Sequence, residues 1–384
     1  MPRLVISTVG TSILTNQINM RSESDWLDLL EARANDKELN GEDILEAVEE
    51  LTVRAKEKLY TDPEHKLIND DLDEIRGASA ELNGIYGLYS RERLNQGNQD
   101  IHWLITTDTA QGQVSAELIR DFLRENHPVV NIHTPQDLST ASTESFTNGI
   151  DELLKWFDEM IPGYQDSGYH ICFNLVGGFK ALQGYANSIG MFYANEIVYI
   201  FEGSNKIITI PRLPIKIDTS VIKPVQFALM ASGAWVAMSE LNNVPETLIF
   251  NVDDTATLTT WGRLVWNRSK EDLLSGKKLL QFPKLKYESS FEKDYDNITT
   301  KNEKVKLQET LAQVSYKLQE SNGDTSVLVN TGLKYDPYVG TKGVDHFRVN
   351  LTLRVSCKVI GKDLSLRYYG NHNHVQRSEG IKGK

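Results

Sequence analysis

Over its first 211 residues the chain alternates short apolar runs with amphipathic stretches of helical period, and this alternation restricts the fold more than any other feature of the sequence. "RLVIST" reads as a buried strand, and "DIHWLITTDT" and "VVNIHTP" as two more. "DWLDLL" and "ILEAVEELTVRAKEKL" read as helices between the first two. Phe146, Ile150, Leu153, Phe157 and Ile161 then recur at helical spacing, "YHICFNLVGG" is a fourth strand, and "FKALQGYANSIGMFYA" is the helix that follows it. "EIVYIFEG" and "KIITIPRL" close the region as strands joined by a turn around Gly203–Asn205. Strands alternating with helices predict an α/β fold, a mostly parallel, doubly wound sheet covered by helices on both faces.

The pattern changes after Pro211. Residues 212–280 carry one apolar helical stretch, "VQFALMASGAWVAMSEL", and short mixed segments around "TLTTWGRLVWNR", which suit a small helix-turn-helix or winged-helix linker domain. Residues 281–384 open with "KLKYESSFEKDY" and continue into a helix that aligns Leu307, Leu311, Val314 and Leu318 on one face. "HFRVNLTLRVSCKVIGKDLSLRYYGNHNHVQR" then alternates apolar residues around a turn at Gly361–Asp363, which predicts an antiparallel sheet behind a helix pair, a small α+β domain.

Composition removes several function classes. No apolar run approaches the ~20 residues of a membrane span, and the N-terminal apolar run is too short and too weakly flanked by basic residues for a secretory signal. The two cysteines, Cys172 and Cys357, lie far apart in apolar runs, so neither a disulfide framework nor a cysteine-rich zinc site is expected, and a cytoplasmic location is. The net charge of −12 is uneven. From Gln281 onward there are 17 Lys+Arg against 12 Asp+Glu, whereas the preceding part holds 24 against 41, so the C-terminal part is the one suited to an anionic partner. Residues 212–280 are near neutral, and DNA is therefore not an expected partner.

In a doubly wound sheet, ligands bind beyond the carboxyl ends of the strands. Three loops fall at such ends: "STVGTS" (Ser7–Ser12), "TTDTAQG" (Thr106–Gly112) and "NLVGGFK" (Asn174–Lys180). All are rich in glycine and small hydroxyl residues. Glycine lets backbone approach a phosphate, a following helix N-terminus offers N–H groups, and Lys180 adds a cation. Neither a GxGxxG nor a Walker lysine loop is present, so dinucleotide or ATP binding is not favoured. In combination the loops resemble the CARF domain, the Rossmann-like sensor of CRISPR-associated proteins, over residues 1–211. The resemblance implies a homodimer with a shared pocket for a cyclic oligoadenylate. Cyclic tetra-adenylate is the first expectation for the activator, because its symmetry matches a two-fold dimer, and cyclic hexa-adenylate the second. Gly10, Thr11, Ser12, Thr107, Asp108, Asn174, Gly177, Gly178 and Lys180 stand where such a ligand would be contacted. The family often has Thr where this chain has Val176, which removes one hydroxyl contact.

Residues 282–384 resemble the RelE toxin superfamily, the ribosome-dependent mRNA interferases, through the strand "KLKYESSF", the helix pair, "FRVNLTLRVSCKVIGKDLSL" and "YYGNHNHVQR". The resemblance implies catalytic roles for Arg354 and for His372, with His374 second. Gln376 stands where many relatives have a catalytic tyrosine, which shifts the expected acid to His372. These residue types suit metal-free RNA cleavage. The 2′-OH attacks the adjacent phosphorus, a base takes its proton, an acid protonates the leaving 5′ oxygen, and Arg354 and Arg348 stabilise the equatorial oxygens. Lys334, Lys342 and Lys382 are expected on ribosomal RNA backbone. The joint expectation is a type III CRISPR effector of CARF–RelE type, with mRNA and the ribosome as partners and without cofactor or metal. Two alternatives remain: a CARF/helix-turn-helix transcription regulator, and a ribosome-independent nuclease of HEPN type built on the R-x4-H run Arg367–His372, a motif that works from a helix but here follows a β-like run.

Overall fold

The structure is a computed structural model that describes residues 1–89, 99–201, 206–338 and 343–381. The turn expected at Gly203–Asn205, and Lys342 and Lys382, lie outside these residues. The chain divides into two compact units, Met1–Ile215 and Lys216–Lys384.

The first unit runs β1 (Arg3–Thr8), α1 (Ser12–Thr15), α2 (Ser24–Ala32), α3 (Glu42–Leu59), β2 (Tyr60–Asp62), β3 (Leu67–Ile68), α4 (Leu72–Ala78), α5 (Ala80–Leu88), β4 (Ile101–Ile105), α6 (Ala110–Leu123), β5 (Val129–His133), α7 (Thr143–Asp166), β6 (His170–Asn174), α8 (Lys180–Tyr193), β7 (Glu196–Ile200) and β8 (Ile207–Pro211). Its main sheet has the order β5-β4-β1-β6-β7-β8. Neighbours pair in parallel except β7 and β8, which pair antiparallel. The order reverses at β1, as the strand–helix alternation of the sequence predicts for a doubly wound sheet. Leu4, Val5 and Ile6 of β1 are all buried because helices cover both faces. On one face Leu104 and Val130 pack with Leu51 of α3 and Phe122 of α6. On the other, Trp103 and His133 lie against Trp156 of α7, at ring separations of 4.9 and 4.2 Å. The segment between α3 and β4 carries two helices absent from the sequence reading. Asp71 starts α4 by accepting from the amides of Asp73 and Glu74, and Ser79 starts α5 by accepting from that of Leu82.

The second unit runs α9 (Pro224–Ala231), β9 (Val236–Ala237), β10 (Ile249–Val252), β11 (Thr255–Leu258), α10 (Thr260–Leu274), β12 (Leu285–Tyr287), α11 (Ser289–Asp296), α12 (Lys301–Glu320), β13 (Asp336–Pro337), β14 (Asp345–Arg348), β15 (Leu353–Ile360), β16 (Asp363–Asn371) and α13 (His372–Ser378). The stretch "VQFALMASGAWVAMSEL" is not one helix. Gly233, at φ +106°, ends α9, and the amides of Gly233 and Ala234 turn back onto the carbonyls of Met230 and Leu229. Three strands separate α9 from α10, so these two helices do not form the consecutive pair of a helix-turn-helix. "KLKYESSF" is strand only to Tyr287, because Phe291 and Tyr295, one helical turn apart, are drawn into the core as α11. The residues after β16, read from the sequence as the end of the alternating run, form α13.

The larger sheet of this unit has the order β12-β16-β15-β14-β13. One core joins Phe227 and Met230 of α9 and Trp266 of α10 to Leu307 and Leu311 of α12 and to Phe347, Val355, Leu364 and Leu366 of the sheet. The boundary expected at 280/281 runs through that core. Cys172 and Cys357 are both buried and free. No helix among the described residues is long and apolar enough to cross a membrane.

Candidate functional site

The first unit holds a cleft of about 340 Å3 at the carboxyl ends of its parallel strands. Gly10, Thr11, Ser12 and Thr15 line it from the first loop, Thr107 and Thr109 from the second, and Val176, Gly177, Gly178 and Phe179 from the third, with Ala34, Asn35, Ala80 and Thr140 completing the wall. The three glycine- and hydroxyl-rich loops expected from sequence therefore converge at the strand order's switch point, beside β1. The lining carries hydroxyls and backbone but no charged side chain.

Of the expected ligand contacts, Gly10, Thr11, Ser12, Thr107, Gly177 and Gly178 line the cleft, whereas Asp108, Asn174 and Lys180 are not among its lining. Asp108 is turned to an ion pair with Lys37 at 2.8 Å, whose hydrogen bond holds the carboxyl below its usual range. Asn174 is fully buried, and its amide donates to Ser7 Oγ at 3.1 Å and to the Glu81 carbonyl at 3.2 Å. Lys180 is exposed on the first turn of α8.

Glu81, on α5, is the residue that sequence reasoning missed. Its side chain is 0% exposed, and its two carboxylate oxygens accept from the Gly10 amide and the Ser12 hydroxyl, each at 2.7 Å. Ser12 Oγ in turn accepts from the Ala80 amide at 3.0 Å. Gly177 packs directly on this carboxylate: a Cβ there would stand 2.6 Å from Glu81 Cγ. A glutamate in the first turn of a helix is an ordinary partner for the helix dipole, so nothing in the local sequence marks it.

Residues 76–213 match the family described as CRISPR-associated protein (Cas_APE2256).

The matched stretch runs from α4 through β8 and includes Glu81 and the second and third cleft loops; the loop Ser7–Ser12 and the second unit lie outside it. The likeness of this region to CRISPR-associated proteins, expected from its loops, is thus found independently, over about a third of the chain.

In the second unit a row of cations crosses one sheet face. Arg348 pairs directly with Arg354 across β14 and β15, and Arg354 with Gly370 across β15 and β16. Paired residues project from the same face, and so do residues two apart in one strand, which puts His346 beside Arg348. Tyr338 stacks on His346 at 4.2 Å, and its hydroxyl lies near enough to Arg354 for the guanidinium charge to act on its pKa. His372 stands near enough to both arginines that burial first, then their charge, lowers its pKa. Burial and Arg354 lower that of His346 likewise, while burial keeps Tyr338 a neutral phenol. Arg354 is 9% exposed, and its Nε, the Nε of Arg348 and Nδ1 of His346 are buried with no hydrogen-bond partner among the described residues. Buried guanidinium donors without partners are costly in a folded chain, and an anion at this face would satisfy them.

Thus Arg348, Arg354 and His372 come together, as the sequence reading grouped them. His374 does not join them, since its Nε2 is held 3.1 Å from Asp294, which also accepts from the Tyr369 amide. Tyr338 and His346 belong to the cluster and carry no motif that would have singled them out. Arg367, the first residue of the R-x4-H run, is tied to Glu379 at 2.9 Å and to Glu288 at 3.2 Å. It lies on a strand, at a bulge opposite Ser356 and Cys357, rather than on the helix a HEPN site requires. Lys334 is exposed.

Proposed function

We propose that this chain is a signal-gated ribonuclease of CRISPR defence: the cleft of the first unit, in a homodimer, binds a cyclic oligoadenylate, and the second unit cleaves mRNA in the ribosomal A site. The observation that carries the catalytic part is the Arg348–Arg354 row with unsatisfied buried donors beside a histidine of lowered pKa. A cyclic tetra-adenylate is the first choice of activator and cyclic hexa-adenylate the second. The match of residues 76–213 to CRISPR-associated proteins supports the sensor assignment.

The chemistry follows from the protonation states. Burial first, and then the charges of Arg354 and Arg348, lower the His372 pKa and favour its neutral form, which fits it for the base rather than the acid. In this reading the RNA 2′-OH attacks the neighbouring phosphorus, its proton passes to His372, the bond to the 5′ oxygen breaks, and that oxygen takes a proton from solvent. Arg354 and Arg348 neutralise the charge that builds on the equatorial oxygens.

The test is cleavage of an mRNA on programmed ribosomes, with and without cyclic tetra-adenylate and with ribosomes omitted. Cleavage is expected only with both, leaving a 2′,3′-cyclic phosphate, and unchanged by EDTA under conditions that keep ribosomes intact. Equal cleavage without the activator would remove the gating role, and cleavage of free RNA would remove the ribosome. Because the His372 pKa is lowered from that of a free imidazole, the midpoint of the acid-side loss of rate should lie below about 6.5. His372→Ala should cost more than tenfold and His374→Ala less than about threefold, since the latter side chain serves Asp294. The reverse order would exchange their roles.

A further inference from the structure

We infer that the Gly10 amide and the Ser12 hydroxyl form an anion subsite of the cleft that the chain's own Glu81 carboxylate fills, and that a phosphodiester group of the ligand takes this subsite by expelling Glu81. The inference rests on the cyclic-oligoadenylate reading and specifies how that ligand is read.

Four observations carry it. The carboxylate sits where two loop donors converge, each at 2.7 Å, which is the geometry an oxyanion of a phosphate would adopt. Gly10 and Ser12 also line the open cleft, so their donors are within reach of a ligand once the carboxylate leaves. No salt bridge pairs Glu81 with a cation among the described residues, although it is 0% exposed, so its hold depends on those loop donors. Finally, the cleft lining has no charged residue to offset a ligand phosphate, so a phosphate and the Glu81 carboxylate would repel one another at this spot. The two anions therefore compete for one pair of donors.

Expulsion would not stay local. Glu81 belongs to the first turn of α5, whose Gly84 lies against Asn174 and Val176 of the third loop. Gly87, one turn on, lies against Ile200 of β7 and Ile207 of β8, where an added Cβ would stand 3.2 Å from Ile207 Cδ1. A helix packed that tightly transmits a shift of its first turn rather than absorbing it. β8 is the last strand before the chain leaves the first unit at Ile215. Glu81 thus links occupancy of the cleft to the strand from which the chain exits.

The experiment compares the full-length protein with Glu81→Gln, using cyclic tetra-adenylate and cyclic hexa-adenylate in titration calorimetry and amide hydrogen exchange over residues 80–88. Glu81→Gln keeps the shape and an acceptor for the Gly10 amide but removes the charge. It should bind whichever ring the parent binds at least about tenfold more tightly, the factor that goes with one charge-assisted hydrogen bond no longer to be displaced. In the parent, ligand should speed exchange in 80–88, because α5 loses its anchor. Tighter binding by Glu81→Gln without any ligand effect on exchange in the parent would reduce the role of Glu81 to plain repulsion and overturn the expulsion. Unchanged affinity would overturn the subsite. Absence of binding of either ring to the parent would end the cyclic-oligoadenylate reading and this inference with it, whereas the two preceding outcomes leave that reading standing.

Discussion

Arg354→Ala is expected to lower activator-dependent cleavage on programmed ribosomes by on the order of 10²–10³, with the affinity of the first unit for its ligand unchanged. The size follows from position. Arg354 occupies the middle strand of its sheet, opposite Arg348 and Gly370, is 9% exposed, and keeps a buried Nε without a partner among the described residues. A guanidinium so placed meets a phosphate already oriented, and little reorganisation remains when charge builds on the equatorial oxygens. Arg354→Lys separates charge from geometry: the cation stays and the fork is lost, so most of the defect should persist. Thermal unfolding of both variants checks that the sheet survives. Removing an arginine whose Nε is unsatisfied should leave the midpoint within a few degrees of the parent. Full activity of folded Arg354→Ala on translating ribosomes would mean that the second unit does not cleave RNA at this face.

Gly177→Ala should destabilise the first unit by on the order of 2–4 kcal/mol. The reason is steric and then electrostatic. An added Cβ would stand within 2.6 Å of Glu81 Cγ, and Gly177 also presents the carbonyl that accepts from Thr8 Oγ1 at 2.5 Å, so the turn has no free direction in which to yield. Either Glu81 leaves the Gly10 and Ser12 donors, or the glycine turn moves off the end of β6. The control is Gly184→Ala on α8, where nothing lies within 4 Å of an added Cβ. That substitution should be neutral or stabilising by up to about 1 kcal/mol, since alanine is the better helix former. Combining Gly177→Ala with Glu81→Ala should cost less than the two separate losses together, because the group that clashes is gone. Strict additivity in a thermal-unfolding cycle would show that the Gly177–Glu81 contact does not govern the turn.

Periodicity alone was enough to identify the framework of the first unit, because strands covered on both faces must be nearly continuous apolar runs and the helices that cover them must carry a stripe. "RLVIST" and the Phe146-to-Ile161 spacing became β1 and α7 for that reason. The same reading placed three loops at strand ends, and their convergence on one cleft followed from strand order. It failed where a local signal had to be weighed against packing. "VQFALMASGAWVAMSEL" is apolar enough for one long helix, yet a glycine of positive φ closes it at Ala231 and three strands follow. His372 and His374 are two residues apart and chemically alike in sequence; only the surrounding fold gives one to the arginine row and the other to Asp294.

Sequence by itself determined which residue types were available and the doubly wound order that gathers them, since both depend on local pattern. Tertiary structure alone decided which of those groups are already engaged. Asn174 and Asp108 read as ligand contacts and are spent on Ser7 and Lys37, while Glu81, silent in the sequence, holds the Gly10 and Ser12 donors. Hydrogen bonds between residues 69 to 167 positions apart depend on where the backbone brings donors and acceptors together, and a one-dimensional pattern carries no information about that distance.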